Sequence, residues 1–283
     1  MCCVPPPALA PPASGFWRRL PRLVAVLLVS SSAAADWPTY QHDNARSGVT
    51  EESLSTSLAA AWTYQAVRAP RPAWPAPAAR DIWHNFRELK PLVTYDRAFH
   101  TVSVGGMLFF ASSADDSVRA LDAASGRERW VFFAEGPVRL APSVAKGRVF
   151  FGADDGSVYC LNTADGALLW KHTVDPQARR IAGNGRVISV VPVRSGVLLD
   201  GDRACFFAGL FPDEGVYRGV LRAEDGAVLA QERIPQVSPQ GYLLASSTHL
   251  VVPTGRTTPA LFSKNMIPRA INNSGPKRLP RLR

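Results

Sequence analysis

The residues of this chain that are best suited to chemistry are aspartates in or near short turns. They form three groups: Asp115 and Asp116, Asp154 and Asp155, and Asp200 and Asp202. Paired carboxylates could bind Ca²⁺, which prefers oxygen ligands. The first two pairs, however, occupy matching positions in short turns, where an Asp side chain commonly hydrogen-bonds its own backbone. We therefore favour a turn-forming role over a metal site for these residues.

No other group of side chains forms a recognisable catalytic arrangement. The histidines are His42, His84, His100, His172 and His249. None of them pairs at a metal-ligand spacing. Ser195-Gly196 and Ser246-Ser247 lack the context of a nucleophile elbow, and Gly183-Asn184-Gly185 departs from the phosphate-loop pattern. We predict no catalytic, cofactor-binding or metal-binding residues.

The four cysteines are consistent with export but do not require a disulfide. Cys2 and Cys3 lie in the N-terminal segment, which leaves Cys160 and Cys205. These two could form one bridge. Because Cys160 sits in an apolar strand pattern, a small buried side chain is the favoured interpretation.

The composition predicts a folded chain of one or two domains. It has 283 residues, of which 46% are hydrophobic and 19% are charged. This balance excludes an intrinsically disordered chain, and the absence of a glycine period or heptads excludes collagen and coiled coil.

The net charge of +9 is confined to the two ends of the chain. Residues 1–35 carry three arginines and residues 263–283 carry six basic residues, with no acidic residue in either segment. The remaining 23 basic and 23 acidic residues lie in 36–262 and cancel. The charge therefore gives no support to nucleic-acid binding by the folded part.

The N-terminal segment has the pattern of an export signal. Arg18, Arg19 and Arg22 precede an apolar run over 23–29, and Ala33-Ala34-Ala35 forms a cleavage site. The run is shorter than the ~20 residues that span a bilayer, and no later segment is long enough. We predict a signal peptide over 1–35 and a periplasmic or extracellular protein; the alternative is a buried N-terminal helix.

The middle of the chain contains a repeat of about 40 residues. Gly126 and Gly166 are 40 residues apart, as are Trp130 and Trp170. Looser copies follow at 204–229 and from His249 to Phe262, and a partial copy precedes them at 61–64.

Each copy is expected to form strands. Short strands rich in Val, Phe and Tyr are predicted within 144–152 and 157–161, with a hairpin turn at Asp155-Gly156. Three to four strands in about 40 residues is the period of a β-propeller blade. The predicted fold class is all-β, a partial propeller of about four blades with four-stranded antiparallel sheets.

The segments 121–130 and 161–170, which end in Trp130 and Trp170, resemble the tryptophan-docking motif of pyrroloquinoline-quinone (PQQ) quinoprotein-like propeller repeats. The opening segment 36–48 is similar to the start of many exported propellers of this family. The resemblance covers most of 36–262 and implies that the Trp of one blade packs over a turn of the next. It makes Gly126, Trp130, Gly166 and Trp170 a structural docking motif.

The resemblance leaves two classes of function open. We expect a non-catalytic binding or scaffold module, similar to propellers that assemble the outer membrane, with a protein or small-ligand partner of unknown identity. The alternative is a periplasmic PQQ-dependent alcohol dehydrogenase-like enzyme or its remnant. Such enzymes resemble one another in using Ca²⁺, an Asp base and often a vicinal disulfide. The adjacent Cys2-Cys3 lie in the predicted signal, so PQQ and calcium are implied only by the family resemblance.

The predicted domains are a signal peptide over 1–35, propeller repeats over 36–262 and a basic, disordered tail over 263–283. About seven blades of ~40 residues exceed the length of 36–262, so we expect an incomplete ring from a truncated or frame-shifted gene product. A Pro-rich segment at 69–79 is expected to connect the first blades, or to act as a partner-binding arm.

Overall fold

The computed structural model describes residues 36–70, 98–183, 186–210, 213–234, 237–254 and 259–264. The predicted signal peptide, most of the Pro-rich segment, His84, Asn184-Gly185 and nearly all of the basic tail lie outside these residues. No helix in the described ranges is both long and apolar enough to cross a membrane.

The described residues form antiparallel sheets in which successive strands are neighbours. Sheet 1 contains β1 (Val102–Val104), β2 (Met107–Ser112), β3 (Ser117–Asp122) and β4 (Glu128–Phe133). Sheet 2 contains β5 (Ser143–Ala145), β6 (Arg148–Gly152), β7 (Ser157–Asn162) and β8 (Leu168–Thr173). A separate hairpin consists of β9 (Arg180–Gly183) and β10 (Arg186–Ser189).

Two further sheets follow. Sheet 3 contains β11 (Leu198–Asp200), β12 (Arg203–Ala208), β13 (Val216–Arg222) and β14 (Val228–Ile234). Sheet 4 has three strands in the described part of the chain, β15 (Leu244–Ala245), β16 (His249–Val252) and β17 (Ala260–Ser263). The fold is therefore all-β and forms a partial propeller of four blades, as the repeat predicts.

The repeat is visible in the details of the strands. The third and fourth strands of sheets 1, 2 and 3 each shift register at the same place, before Leu121, Leu161 and Leu221. The segment expected to be strand over 144–152 is divided into β5 and β6 by a turn at Lys146-Gly147, where φ is 49° and 71°. The apolar residues on both sides of Lys146-Gly147 favour strand throughout 144–152, so the sequence did not predict this turn.

The core lies between neighbouring sheets. One cluster packs Phe109 and Trp130 of sheet 1 against Phe151 of sheet 2, and a second packs Phe150 of sheet 2 against Phe206 of sheet 3. A third cluster joins sheets 3 and 4. Sheets 2 and 3 thus bury both faces against neighbouring sheets, which explains why their middle strands read as continuous apolar runs.

Because the strands alternate in direction, each sheet has two distinct ends. The first and third turns of a sheet lie at one end, which we call the docking end. The second turn and the connection to the next sheet lie at the other, which we call the loop end. The candidate side chains lie at one of these two ends or beside the first strands of the sheets.

Candidate functional site

The docking end contains the glycines and tryptophans expected from the resemblance. Trp130 lies over the turn of sheet 2, where its indole Nε1 donates to the carbonyl of Thr163 at 2.8 Å. Its ring is so close to Gly166 that a Cβ there would lie 2.7 Å away. Trp170 makes the same contact with Gly226, and its Nε1 donates to the carbonyl of Ala223 at 3.2 Å.

Gly126 belongs to a third contact of this kind, whose tryptophan the sequence analysis did not assign. Trp62 lies over Gly126, at 2.5 Å from a Cβ built there, and donates to the carbonyl of Ala123 at 3.0 Å. Trp62 is outside any strand. The partial repeat copy at 61–64 was the available signal. In β14 the position that matches Trp130 and Trp170 is occupied by Ala230. Sheet 3 therefore has no tryptophan that packs over a turn of sheet 4.

The loop end brings together most of the aspartates considered for calcium. Asp154 is 1% exposed and lies between Arg139, whose Nε is 2.6 Å from Oδ2, and Arg194, whose Nε is 2.8 Å from Oδ1. Burial would raise the pKa of Asp154, but the two guanidinium groups outweigh it and hold the pKa below its ordinary value. Asp155 accepts a hydrogen bond from the Tyr159 hydroxyl.

The other aspartates are also engaged. Asp115 accepts from Arg119 at 2.7 Å, Asp116 pairs with Arg186, and Asp200 at the docking end pairs with Arg203 at 3.0 Å. Asp202 lies near Asp200 in sequence but is exposed.

The β9–β10 hairpin covers part of the loop end. Arg186 reaches back to Asp116 in sheet 1, and Arg180 forms a 3.3 Å ion pair with Glu135 in the connection between sheets 1 and 2. Two large apolar side chains remain exposed in this area, Phe133 at 61% and Val187 at 60%. The residues next to them are linked through Asp116, whose carbonyl accepts from the amide of Ala134 and whose carboxylate pairs with Arg186.

The opening segment 36–48 contacts the first strand of each of the four sheets. Trp37 bridges to Ser103 of β1, and the carbonyl of Pro38 accepts from the amide of Val144 in β5 at 2.8 Å. Asn44 donates to the carbonyl of Leu199 in β11 at 2.6 Å and accepts from the amide of Ala245 in β15 at 2.7 Å.

Two aromatic rings and one arginine hold this segment in place. Tyr40 stacks on Tyr242 with ring centroids 3.8 Å apart, and the guanidinium of Arg46 lies 5.8 Å from the Tyr242 centroid. Arg46 donates to Thr39 Oγ1 and to three backbone carbonyls, including that of Leu243 at 2.8 Å. The segment is thus a strap, and its polar groups are used for binding the sheets.

The described histidines and serines are dispersed. His42 contacts Trp37, His100 meets Tyr40 edge to face, and His172 hydrogen-bonds Gln231 at 2.8 Å. His249 bonds Thr248, and Ser195 bonds both backbone groups of Phe207. Burial lowers the pKa of His100. No charged partner joins these side chains into a nucleophile–base pair in the described ranges.

Calcium is the metal that the resemblance would imply, and the loop-end aspartates that the structure describes do not fit it. Asp115, Asp116 and Asp154 are paired with arginines and Asp155 accepts from Tyr159, so they form no anionic oxygen cage for a hard divalent cation. Among the described residues, no three His, Cys, Asp or Glu side chains converge in a metal-binding arrangement.

Comparison with known proteins gives one family. A family model described as outer membrane protein assembly factor BamB matches residues 74–243. No curated protein sequence matches the chain.

Solved structures give the fold. The quinohemoprotein alcohol dehydrogenase of Comamonas testosteroni is 15% identical with a TM-score of 0.51, over 77% of this chain and 35% of that one. BamB from Moraxella catarrhalis is 16% identical with a TM-score of 0.44, over 58% of this chain and 45% of that one. The chain therefore spans less than half the length of these two structures.

Proposed function

Because this chain belongs to the family of PQQ-repeat β-propeller proteins whose model is described as outer membrane protein assembly factor BamB, we propose that it is an exported, non-catalytic binding module. The proposal includes removal of residues 1–35 on export, propeller repeats over 36–262 and a basic tail over 263–283. The role of the matched family as an assembly factor supports a protein partner rather than a substrate.

The observation that carries this proposal is the arrangement of charged and apolar side chains at the loop end. Most of its aspartates are paired with arginines, as Asp154 is with Arg139 and Arg194. The same end presents Phe133 and Val187 to solvent. A surface whose charges are satisfied internally and whose apolar side chains are exposed is suited to contact with another protein.

Site-specific photo-crosslinking tests the location of the partner surface. A photo-reactive amino acid at Val187, with a second at Phe133, is expected to capture the same envelope protein in intact cells. The matched control is Leu168, which is 48% exposed but lies at the docking end. Equal capture of that protein from all three positions would contradict the assignment of the loop end.

A cofactor assay tests the enzymatic alternative. The purified full chain is incubated with PQQ and Ca²⁺ and assayed for dye reduction with primary alcohols. We expect neither dye reduction nor a shift in melting temperature, because the loop-end carboxylates are already paired. Alcohol-dependent reduction above a boiled control would establish the dehydrogenase alternative instead.

Export is tested separately. Residues 1–40 fused to alkaline phosphatase, which is active only after export, are expected to give active enzyme, and replacing the apolar run 23–29 with polar residues is expected to abolish it. Activity that persists in the polar variant would contradict a signal peptide.

A further inference from the structure

A small cavity between sheets 2 and 3 has a lining that neither the fold nor the proposed function explains. It lies at the docking end, with a volume of about 150 Å³, similar to cavities that accept a benzene ring. Phe150 and Leu199 form its apolar surface. The charged side chains that line it are Lys146, Arg148, Asp202 and Glu224.

Arg148 is the unusual member of this set. Its Nε is buried and has no hydrogen-bond partner among the residues that the structure describes. Arg148 as a whole is half-buried, and a buried N–H group without an acceptor is unfavourable. An anion entering the cavity would remove this penalty.

The neighbouring repeat shows what Arg148 lacks. Across the hairpin of sheet 3, Arg203 faces Asp200 and pairs with it at 3.0 Å. Across the corresponding hairpin of sheet 2, Arg148 faces Ala145. The carboxylate that satisfies one arginine is therefore missing for the other, at the edge of the cavity.

The repeat also shows that the fold does not need these cations. Sheet 1 has Gly105 and Met107 at the positions of Lys146 and Arg148, and its first hairpin forms with the same pairing. Sheet 3 keeps an arginine, Arg203, at the position of Arg148, so what is particular to the second hairpin is Lys146 together with an arginine that has no carboxylate partner among the described residues.

The cavity offers complementary charges. In the described part of the chain, Lys146, Asp202 and Glu224 form no salt bridge with one another or with Arg148. Two cations from the β5–β6 hairpin and two carboxylates from sheet 3 thus line one space with an apolar floor. A ligand that carries one charge of each sign and an apolar group would satisfy all of them.

We propose that this cavity binds a small zwitterionic ligand, a free α-amino acid with an aliphatic side chain. Its carboxylate would bind Arg148 and Lys146, its ammonium group would face Asp202 and Glu224, and its side chain would pack on Phe150 and Leu199. Ion pairs with Arg and shape fit of the apolar group would together select it.

Calorimetry with L-valine on the purified full chain tests the proposal. We expect saturable binding of one valine per chain. Isovalerate, which lacks the ammonium group, and isobutylamine, which lacks the carboxylate, are each expected to bind at least about tenfold more weakly. Isovalerate binding as tightly as valine, or no valine binding by folded protein, would overturn the proposal.

Two variants use the repeats as templates. R148M copies Met107, and A145D copies Asp200 and supplies Arg148 with an internal partner. Both are expected to weaken valine binding at least about tenfold. Because R148M removes the unpartnered Nε and A145D supplies it with an acceptor, both should melt at or above the temperature of the unchanged protein without ligand.

The control variant is Arg203→Met, which removes the paired arginine of sheet 3. It is expected to leave valine affinity within about twofold of the unchanged protein. Equal loss of affinity in R203M and R148M, or full affinity in A145D, would contradict a site built on Arg148.

Discussion

The ring of Trp130 lies directly over Gly166, a residue of the next sheet, and its Nε1 donates to the neighbouring Thr163 carbonyl at 2.8 Å. Trp170 and Gly226 repeat the relationship one sheet further on, and Trp62 and Gly126 one sheet earlier. Trp130 and Trp170 each join two sheets, Trp62 joins a segment outside the strands to sheet 1, and each indole satisfies its only polar group in a backbone carbonyl.

Trp130→Ala is expected to lower the free energy of unfolding by about 3–5 kcal/mol, because Trp130 is 8% exposed and its removal leaves a cavity between two sheets. Urea denaturation followed by circular dichroism measures the change. Phe133→Ala is the control, since Phe133 is on the same strand but 61% exposed. Similar losses for the two variants would show that the contact over Gly166 contributes little.

Gly166→Ala is expected to destabilise the protein more than Gly201→Ala. The two glycines have nearly the same positive φ, 72° and 69°, so each substitution carries a similar backbone cost of about 1–2 kcal/mol. A Cβ at Gly166 would also meet the Trp130 ring at 2.7 Å, whereas one at Gly201 has nothing within 4 Å. Equal melting temperatures for the two variants would contradict this steric explanation.

Asp154→Asn is expected to lower stability at neutral pH by about 3–5 kcal/mol, because it leaves Arg139 and Arg194 without their buried counter-charge. The folded pKa of Asp154 lies below its ordinary value. Its contribution is therefore present above an unfolded pKa of about 3.9 and disappears as the pH falls through the folded pKa.

Denaturation curves across the acid range measure this dependence. Loss of stability on acidification is expected to be smaller in Asp154→Asn than in the unchanged protein. The control is Asp165→Asn, at an exposed turn. An unaltered acid transition in Asp154→Asn would show that other carboxylates govern it.

Cys160 and Cys205 are expected to be unreactive in the folded protein at neutral pH. Both are buried and unbridged, and burial raises the pKa of each thiol to about 12. Alkylation followed by peptide mass spectrometry should label both only after unfolding in guanidinium chloride. Rapid labelling of either thiol under native conditions would contradict the packing of sheets 2 and 3.

Arg46→Met is expected to cost about 2 kcal/mol or more, because the Arg46 guanidinium donates to three oxygens within the strap and to the carbonyl of Leu243, next to β15. Arg68→Met, at an exposed position of the following segment, is the control and should be neutral. Chemical denaturation compares them. Equal stability of both variants would show that the strap contributes little to holding the sheets.

The repeating unit of the fold could be predicted from the amino-acid sequence alone. Residues such as Gly166 and Trp170 recur because every blade must make the same turn and fill the same gap, so spacing in the chain reports local structure directly. For that reason the all-β class, the propeller fold and the family resemblance could be predicted without coordinates.

Which polar and charged side chains find a partner depends instead on the tertiary structure. Asp154 and its arginines come from three separate connections, Trp62 reaches Gly126 from outside any strand, and the strap meets four sheets. Arg148 and Arg203 occupy matching positions, yet one has a carboxylate partner and the other faces a cavity. Such contacts depend on distances between residues far apart in the chain, which a repeat in the sequence does not encode.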